Sequence, residues 1–434
     1  MSVKTKILLM KLKDFWFEYK RSKSGLIGLG ILIFFVSLAL AAPLIAPYDP
    51  LRDTYLAGAY ALPAWAAPPS VPRNMHLESP SYPKPIRIVG DYKEWNVKML
   101  LDYPCKEPPA RMIIQITLEY DDEELKSFTS KGYMPWYSIV VVKPDKKEME
   151  VAKAFIETKA VRFDTGLKTG LVEKIFTMPG TYKILVKVGG YGLTFKLVKV
   201  TVDIKGKAWG ILGTDWQGRD VWSQLVWGTR TALIIGILAS VLGVSIGILY
   251  GLISGFLGGK VDEVMMRLAD VLIAIPKLPL LIALAVILEP NIWLVIVLLG
   301  FLGWMGIAKV ARSMTLQIKT MQYIEAAYAA GASNARVMIR HILPQLMPYA
   351  YANLALSVPD AILVEAGLSF LGLGDPRRIT WGKMLHEAQA TAALSQGAWW
   401  WVIPPGLAIA FLSMSFVLIG HAIDEILNPR LRKL

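Results

Sequence analysis

Apolar residues in this chain are gathered into long runs that short basic stretches separate. A spanning helix needs about 20 predominantly apolar residues, and six runs approach that length: Gly25–Ala46, Ala232–Leu257, Leu268–Leu288, Ile292–Ala308, Tyr349–Leu373 and Trp399–His421. The first follows a tail carrying Lys4, Lys6, Lys11, Lys13, Lys20, Arg21 and Lys23. Ala39-Leu40-Ala41 resembles a signal cleavage site. The charged leader is nevertheless long for a signal, and the apolar run is long enough to span, so an uncleaved anchor is expected.

Between the first and second runs, from about Tyr48 to Gly206, the pattern changes. A stretch containing Pro63, Pro68, Pro69, Pro72, Pro80, Pro83 and Pro85 excludes regular helix and central strand. Then come β-like runs at Met112–Tyr120, Ser138–Val142, Tyr182–Val188 and Leu193–Ile204. The alternation in Lys183-Ile184-Leu185-Val186-Lys187-Val188 predicts half-buried antiparallel strands, with Pro179-Gly180 as a turn. A small β-sandwich fits. No His/Asp/Glu cluster or Ser/His/Asp set within it argues for catalysis, and a docking or shielding module is expected.

Composition sharpens the class. The chain has 434 residues, is 54% hydrophobic and carries a formal charge of +13. The basic balance is not that of a nucleic-acid binder, because no Arg/Lys stripe with interleaved aromatics is present. Lys and Arg instead flank the apolar runs, as in membrane proteins. With the N-terminus inside, the tail before residue 25, Gly258–Arg267, Lys309–Pro348 and the segment after His421 hold the cytoplasmic basic residues, while of the external segments Glu289–Asn291 holds none and Gly374–Ala398 three. Six spans with both ends cytoplasmic and the insert extracytoplasmic is the expected topology, and Trp399, Trp400 and Trp401 fall where an interfacial aromatic belt would lie. The single cysteine, Cys105, excludes an intrachain disulfide framework and is read as a half-buried thiol. No G-x-x-x-x-G-K-[ST] phosphate loop occurs, so the chain is not expected to hydrolyse ATP.

The most informative stretch is Glu325-Ala326-Ala327-Tyr328-Ala329-Ala330-Gly331, followed by His341-Ile342-Leu343-Pro344. Tyr323–Ala330 is a good helix former, and Gly331 can take the positive φ that ends a helix. A second short helix, Asn334–Ile342, is expected to start from a cap at Ser333 or Asn334 and to stop near Pro344. Two short helices on a tight turn make a rigid cytoplasmic protrusion. His341 is read as a packing or surface residue, and no metal site is expected.

This pattern resembles the EAA loop of ABC import permeases, E-A-A-x3-G-x9-H-x-L-P, at Glu325, Ala326, Ala327, Gly331, His341, Leu343 and Pro344. Gly213-Thr214-Asp215 with Gly218-Arg219-Asp220, Leu368–Gly374, Trp381-Gly382, Pro405–Ile409 and the tail Asp424–Arg430 are similar to the oligopeptide/dipeptide branch. Asn428 replaces a customary Asp in that tail. The likeness covers the first span and roughly residues 208–434. It implies a type I importer permease fold with an enlarged insert. The turn region Ala330–Arg336, with Ala332, Ser333 and Arg336, would enter a groove on an ATPase subunit. Implied partners are a second homologous permease, two ATP-binding-cassette ATPases that hold ATP and magnesium, an extracytoplasmic solute-binding protein and the bilayer. No cofactor is expected in this chain itself.

Two further features lie inside the spans. Gly243, Gly247, Gly251, Gly255 and Gly259 recur every fourth residue, which puts them on one helix face suited to close helix packing. Asn353, Ser357 and Asp360 fall within about 60° of one another on the fifth span, beside Pro359, while Glu365 points elsewhere. Lys277 lies between Pro276 and Pro279 on the third. The branch is usually apolar at Lys277 and small at Asp360. Charges are costly in hydrocarbon unless paired or wet, so the two readings are interhelical pairing and a lining of the translocation path. The expected division is 1–24 cytoplasmic tail, 25–46 first span, 47–206 insert, 207–230 amphipathic pre-span segment, and 231–434 five-helix core with the coupling loop at about 309–348.

The expected activity is therefore that of a permease subunit carrying peptides or related small solutes. Members of the branch also carry oligosaccharides and nickel chelates, so the solute stays open. A channel or exporter component has no use for the helix pair, and a membrane-anchored β-domain receptor has no use for five further spans.

Overall fold

The computed structural model describes residues 13 and 15–427. Lys4, Lys6 and Lys11 of the basic tail, and Asn428, Pro429 and Arg430 of the tail motif, lie outside the described residues. Cα packing divides the chain into two compact units. One holds the spans, as the chain up to Leu51, Ser223–Leu394 and the chain from Trp401 onward. The other is Arg52–Trp222 with Ser395–Trp400.

Among the described residues, five helical segments are long and apolar enough to cross a membrane: Lys23–Ile45, Val221–Leu257, Ile292–Lys319, Asn334–Phe370 and Trp399–Ile426. A sixth span forms if Gly259–Ala274 and Lys277–Ile287 count as one, although they are bent by 79° where they meet. The third span, expected as one run over Leu268–Leu288, is therefore broken. Pro276 has no N–H to continue the ladder and drives the preceding residue out of helical geometry; Ile275 sits at φ −77°, ψ 124°. The second helix begins at Val221, well before the apolar run that announced it, because Gln224, Thr229 and Arg230 hide its first turns from a hydropathy window.

The glycine face of the second helix approaches its neighbour closely. A Cβ at Gly247 would lie 2.8 Å from the Trp304 carbonyl oxygen, one at Gly255 2.8 Å from that of Arg312, and one at Gly251 would collide with that of Ala308. Gly243 faces the Gly300 carbonyl in the same way. Gly259, expected on this face, is not part of it. It sits beyond the helix end at φ +56°, after Gly258 at φ +67°, and together they make the turn into the broken span.

The second unit is a two-sheet sandwich. Its strands are β1 (Leu62–Pro63), β2 (Met75–Glu78), β3 (Arg87–Val89), β4 (Tyr92–Tyr103), β5 (Arg111–Glu119), β6 (Trp136–Val142), β7 (Glu148–Phe155), β8 (Ala160–Asp164), β9 (Gly180–Tyr191), β10 (Lys196–Lys205) and β11 (Ala208–Trp209). One sheet has the order β2-β10-β5-β8 and the other β3-β4-β9-β6-β7, with β1 and β11 as a separate parallel pair. Alternate residues of each strand meet between the sheets: Trp95, Val97, Met99, Leu101 and Tyr103 from β4 pack with Ile114 and Ile116 from β5 and Tyr182, Ile184, Val186 and Val188 from β9. Cys105 lies in this core and is buried rather than half-buried, and burial pushes its thiol pKa up.

Two expectations for aromatic and motif residues change here. Trp400 and Trp401 are buried, not members of an exposed belt; Trp400 Nε1 donates to the Thr214 carbonyl at 3.1 Å. Within Gly213–Asp220, Asp215 accepts the backbone N–H groups of Gln217 and Arg219 at 2.8 and 3.0 Å, and the Arg219 Nε at 2.5 Å. Thr214 Oγ1 bridges Gly58 and Ala61. That motif is a structural knot.

Glu124 closes the loop between β9 and β10. It accepts Leu193 N at 2.6 Å, Thr194 N at 3.0 Å and the Thr194 hydroxyl. The hydroxyl foremost, then the two amides, hold the Glu124 pKa below the usual carboxylate range. A depressed carboxylate pKa contributes stability above its unfolded value and loses it as the pH falls through the folded one. Exchange protection at the Leu193 and Thr194 amides of the intact chain will therefore fall as the pH is lowered below about 4, and Glu124→Gln will abolish that step.

Candidate translocation cavity and coupling hairpin

The hairpin begins with helix Gln322–Ala329. Its end is set by Gly331 at φ +80°, with Gly331 N bonded to Tyr328 O at 2.9 Å and Ala332 N reaching back to Ala327 O at 3.0 Å. The latter six-to-one closure satisfies a helix-end carbonyl and needs the left-handed conformation glycine supplies. Ser333 then caps the next helix, its Oγ accepting from Arg336 N. Tyr328 donates to Asn334 Oδ1 at 3.1 Å and braces the two arms.

The second arm departs from expectation. It does not stop near Pro344. Asn334–Val337 widens into a π turn at Met338–Ile342 and continues as Leu343–Phe370. Pro344 falls in the first turn of that helix, where its missing N–H costs little. The wide turn takes up the change of register. The second arm of the hairpin is thus the start of a span rather than a separate short helix.

Burial splits the hairpin cleanly. Glu325, Ala326, Gly331, Ser333 and Arg336 are exposed, Ala327, Ala332 and His341 half-buried, and Pro344 exposed. Beneath them Ile324, Val337 and Ile342 are sunk in a cluster with Phe256, Ile307, Ala311, Ile318 and Leu346. The exposed tip is therefore mounted on the ends of the second and fourth spans. No group of three or more His, Cys, Asp or Glu is placed to hold a metal among the described residues.

Asn353, Ser357, Asp360 and Lys277 line one cavity of about 180 Å³. Lys277 Nζ and Asp360 Oδ2 are 2.6 Å apart. Lys277 is the first residue of the helix after the break, where the macrodipole disfavours a cation, so the Asp360 carboxylate is its natural counter-ion. Asp360 remains 62% exposed, so the pair is open to the cavity rather than sealed. Pro359 leaves a helix carbonyl without its N–H partner next to this pair. Asn353 is occupied in part, donating to Tyr349 O at 2.9 Å. Glu365 lies apart, buried and accepting from Ser369 Oγ at 2.6 Å.

Two features were missed from sequence. Ser240 lines the same cavity, and its buried hydroxyl has no hydrogen-bond partner among the described residues; its spacing of three and seven from Gly243 and Gly247 was the available signal. Asp262 receives a two-pronged bond from Arg312, Nε at 2.6 Å with a second contact from the other guanidinium nitrogen, and also a bond from Ser254 Oγ. That cluster ties the turn at Gly258-Gly259 to the helix that leads into the hairpin.

A family described as binding-protein-dependent transport system inner membrane components matches residues 247–433, and one described as the N-terminal TM domain of oligopeptide transport permease C matches residues 11–69. The oligopeptide transport system permease protein OppC of Bacillus subtilis is 38% identical over 222 residues, 51% of this chain and 72% of its own. The chain belongs to the oligopeptide/dipeptide branch of ABC importer permeases. Similarity extends to the dipeptide transport system permease protein DppC of Bacillus subtilis, 36% identical over 51% of this chain and 69% of its own length. A putative peptide permease protein of Brucella suis is 32% identical over 64% of this chain and 90% of its own. Strands β2–β11 lie outside both matched ranges.

The charge pair gives a direct test. Lys277→Met or Asp360→Asn alone leaves a charge without its counter-ion, and each is expected to lower the thermal midpoint in detergent by about 2–6 °C. The double variant is expected to recover most of that loss, a coupling that thermal denaturation of the four proteins measures.

Proposed function

We propose that this permease forms one half of the translocation path of an importer for peptides or related small solutes. Its other half would be a second homologous permease. Two ATPase subunits would bind and hydrolyse ATP with magnesium on the cytoplasmic side, and an extracytoplasmic solute-binding protein would deliver the solute. The observation that carries this reading is the exposed hairpin tip over a buried anchor. A surface of that build transmits force without performing bond chemistry.

Both termini would then be cytoplasmic and the sandwich extracytoplasmic, where it would serve docking or shielding. ATP binding would close the ATPases around Ala330–Arg336 and favour the outward-open state; hydrolysis would reset it. Such driving is a population shift that needs only differential binding of ATP to the two states. Within the path, Lys277 would meet a solute carboxylate and Asp360 a solute ammonium, with Ser240, Asn353 and Ser357 supplying neutral hydrogen bonds. A peptide carries both charged ends.

Placing a side chain at Gly331 tests the coupling. The left-handed conformation costs an L-residue about 1–2 kcal/mol, close to a tenfold loss of the docking-competent loop. Gly331→Val is therefore expected to reduce co-purification of the ATPases about tenfold and to reduce uptake with it. Full ATPase recovery with this variant would remove the hairpin from the coupling role.

A further inference from the structure

A second, larger cavity has no part in the path just described. It measures about 620 Å³ and lies where the first span ends and the second begins. Its walls include Pro43, Trp227, Ile234 and Ile292, and it is lined by three guanidinium side chains, Arg230, Arg377 and Arg378. Trp227 is fixed there by its Nε1, which donates to the Ala46 carbonyl at 3.2 Å, and the Arg230 guanidinium lies 5.7 Å from its ring centre.

The charges do not cancel. Asp49 lines the cavity, and buried Asp375 lies 3.4 Å from Arg377 Nε while also accepting from Ile292 N. Two carboxylates face three guanidiniums, leaving one positive charge. Arg230 and Arg378 are exposed, and neither has a carboxylate partner among the described residues. Next to the cavity in sequence, Leu40, Leu44 and Trp293 are highly exposed on apolar helices, as lipid-facing side chains are. A guanidinium cluster, a tryptophan and bare aliphatic surface at the end of a span match a phospholipid: headgroup oxyanion to the arginines, glycerol near the indole, acyl chains along the leucines.

We propose that Arg230, Arg377 and Arg378 bind the phosphodiester of a membrane phospholipid bearing a single negative charge. This site is independent of the solute and of the hairpin. A phosphodiester matches the residual charge of one, and the fork of each guanidinium suits its paired oxygens. Free phosphate shares the headgroup's chemistry, and the test separates the two.

The full chain, purified in mild detergent, is titrated with short-chain phosphatidylglycerol, and retained lipid is counted by native mass spectrometry. Saturable binding of one lipid is expected, weakened at least tenfold in Arg230→Gln/Arg378→Gln and unchanged in Arg267→Gln, which alters an exposed arginine elsewhere. If the double variant does not fold, Arg377→Gln, whose side chain is 76% exposed, replaces it, with weaker lipid retention expected. Millimolar inorganic phosphate is expected to leave the lipid in place. Equal retention by wild type and variant overturns the proposal, and so does displacement by phosphate at concentrations comparable to the lipid, which would make the cavity a free-anion site.

Discussion

Close contact between the glycine face of the second span and the backbone of the helix after Trp304 sets what the rest of the permease unit can do. Lipid tails are as apolar as leucine, so hydrophobicity alone does not hold spanning helices together; dispersion between closely packed backbones does. At Gly247, Gly251 and Gly255 no side chain larger than hydrogen fits without displacing a main-chain carbonyl. One end of that packed pair carries the cluster that seats Ile324, Val337 and Ile342 of the hairpin. Further along, Gly243 and Ser240 reach the cavity of Lys277 and Asp360. Hairpin and cavity therefore share one rigid pair of helices, and a displacement at the tip has a physical route to the charged pair.

The broken third span adds a second connection. Arg312 and Asp262 fix one end of it to the helix that leads into the hairpin. The other end stops at Ile275 and restarts at Lys277 with its charge against Asp360. Prolines at such a break cost helix hydrogen bonds, and in a membrane these losses are tolerated where the freed groups face protein or a wet cavity. Here the break faces the cavity. The same geometry that interrupts the span thus places polar groups along that cavity.

Much of this was legible in the amino-acid pattern. Apolar length and flanking charge announced the spans, and Gly331 and Ser333 announced the end of one helix and the start of the next. Asn353, Ser357 and Asp360 were grouped by helical spacing alone, and Lys277 joined them as another ionisable residue in hydrocarbon. What stayed hidden depends on chain partners remote in sequence. Strand β4 shows a buried alternation from Trp95 to Tyr103 that the neighbouring prolines obscured. Pro344 reads as a stop, yet a preceding π turn lets the helix run through it. The tryptophans at 399–401 have interfacial composition, and only tertiary packing shows that two of them are interior. Arg230 and Arg378 read as ordinary flanking charges until folding brings them to one cavity.

Access to position 357 from the two sides of the membrane tests the central claim most directly. A Ser357→Cys substitution in a Cys105→Ser background places one thiol in the cavity, and an impermeant thiol reagent reports when that thiol is open to the outside. The account predicts that external labelling rises when the assembled importer binds a non-hydrolysable ATP analogue and falls back without nucleotide. Labelling that ignores nucleotide in an assembly whose ATPases still hydrolyse ATP would contradict it, because hairpin and cavity would then not move as one.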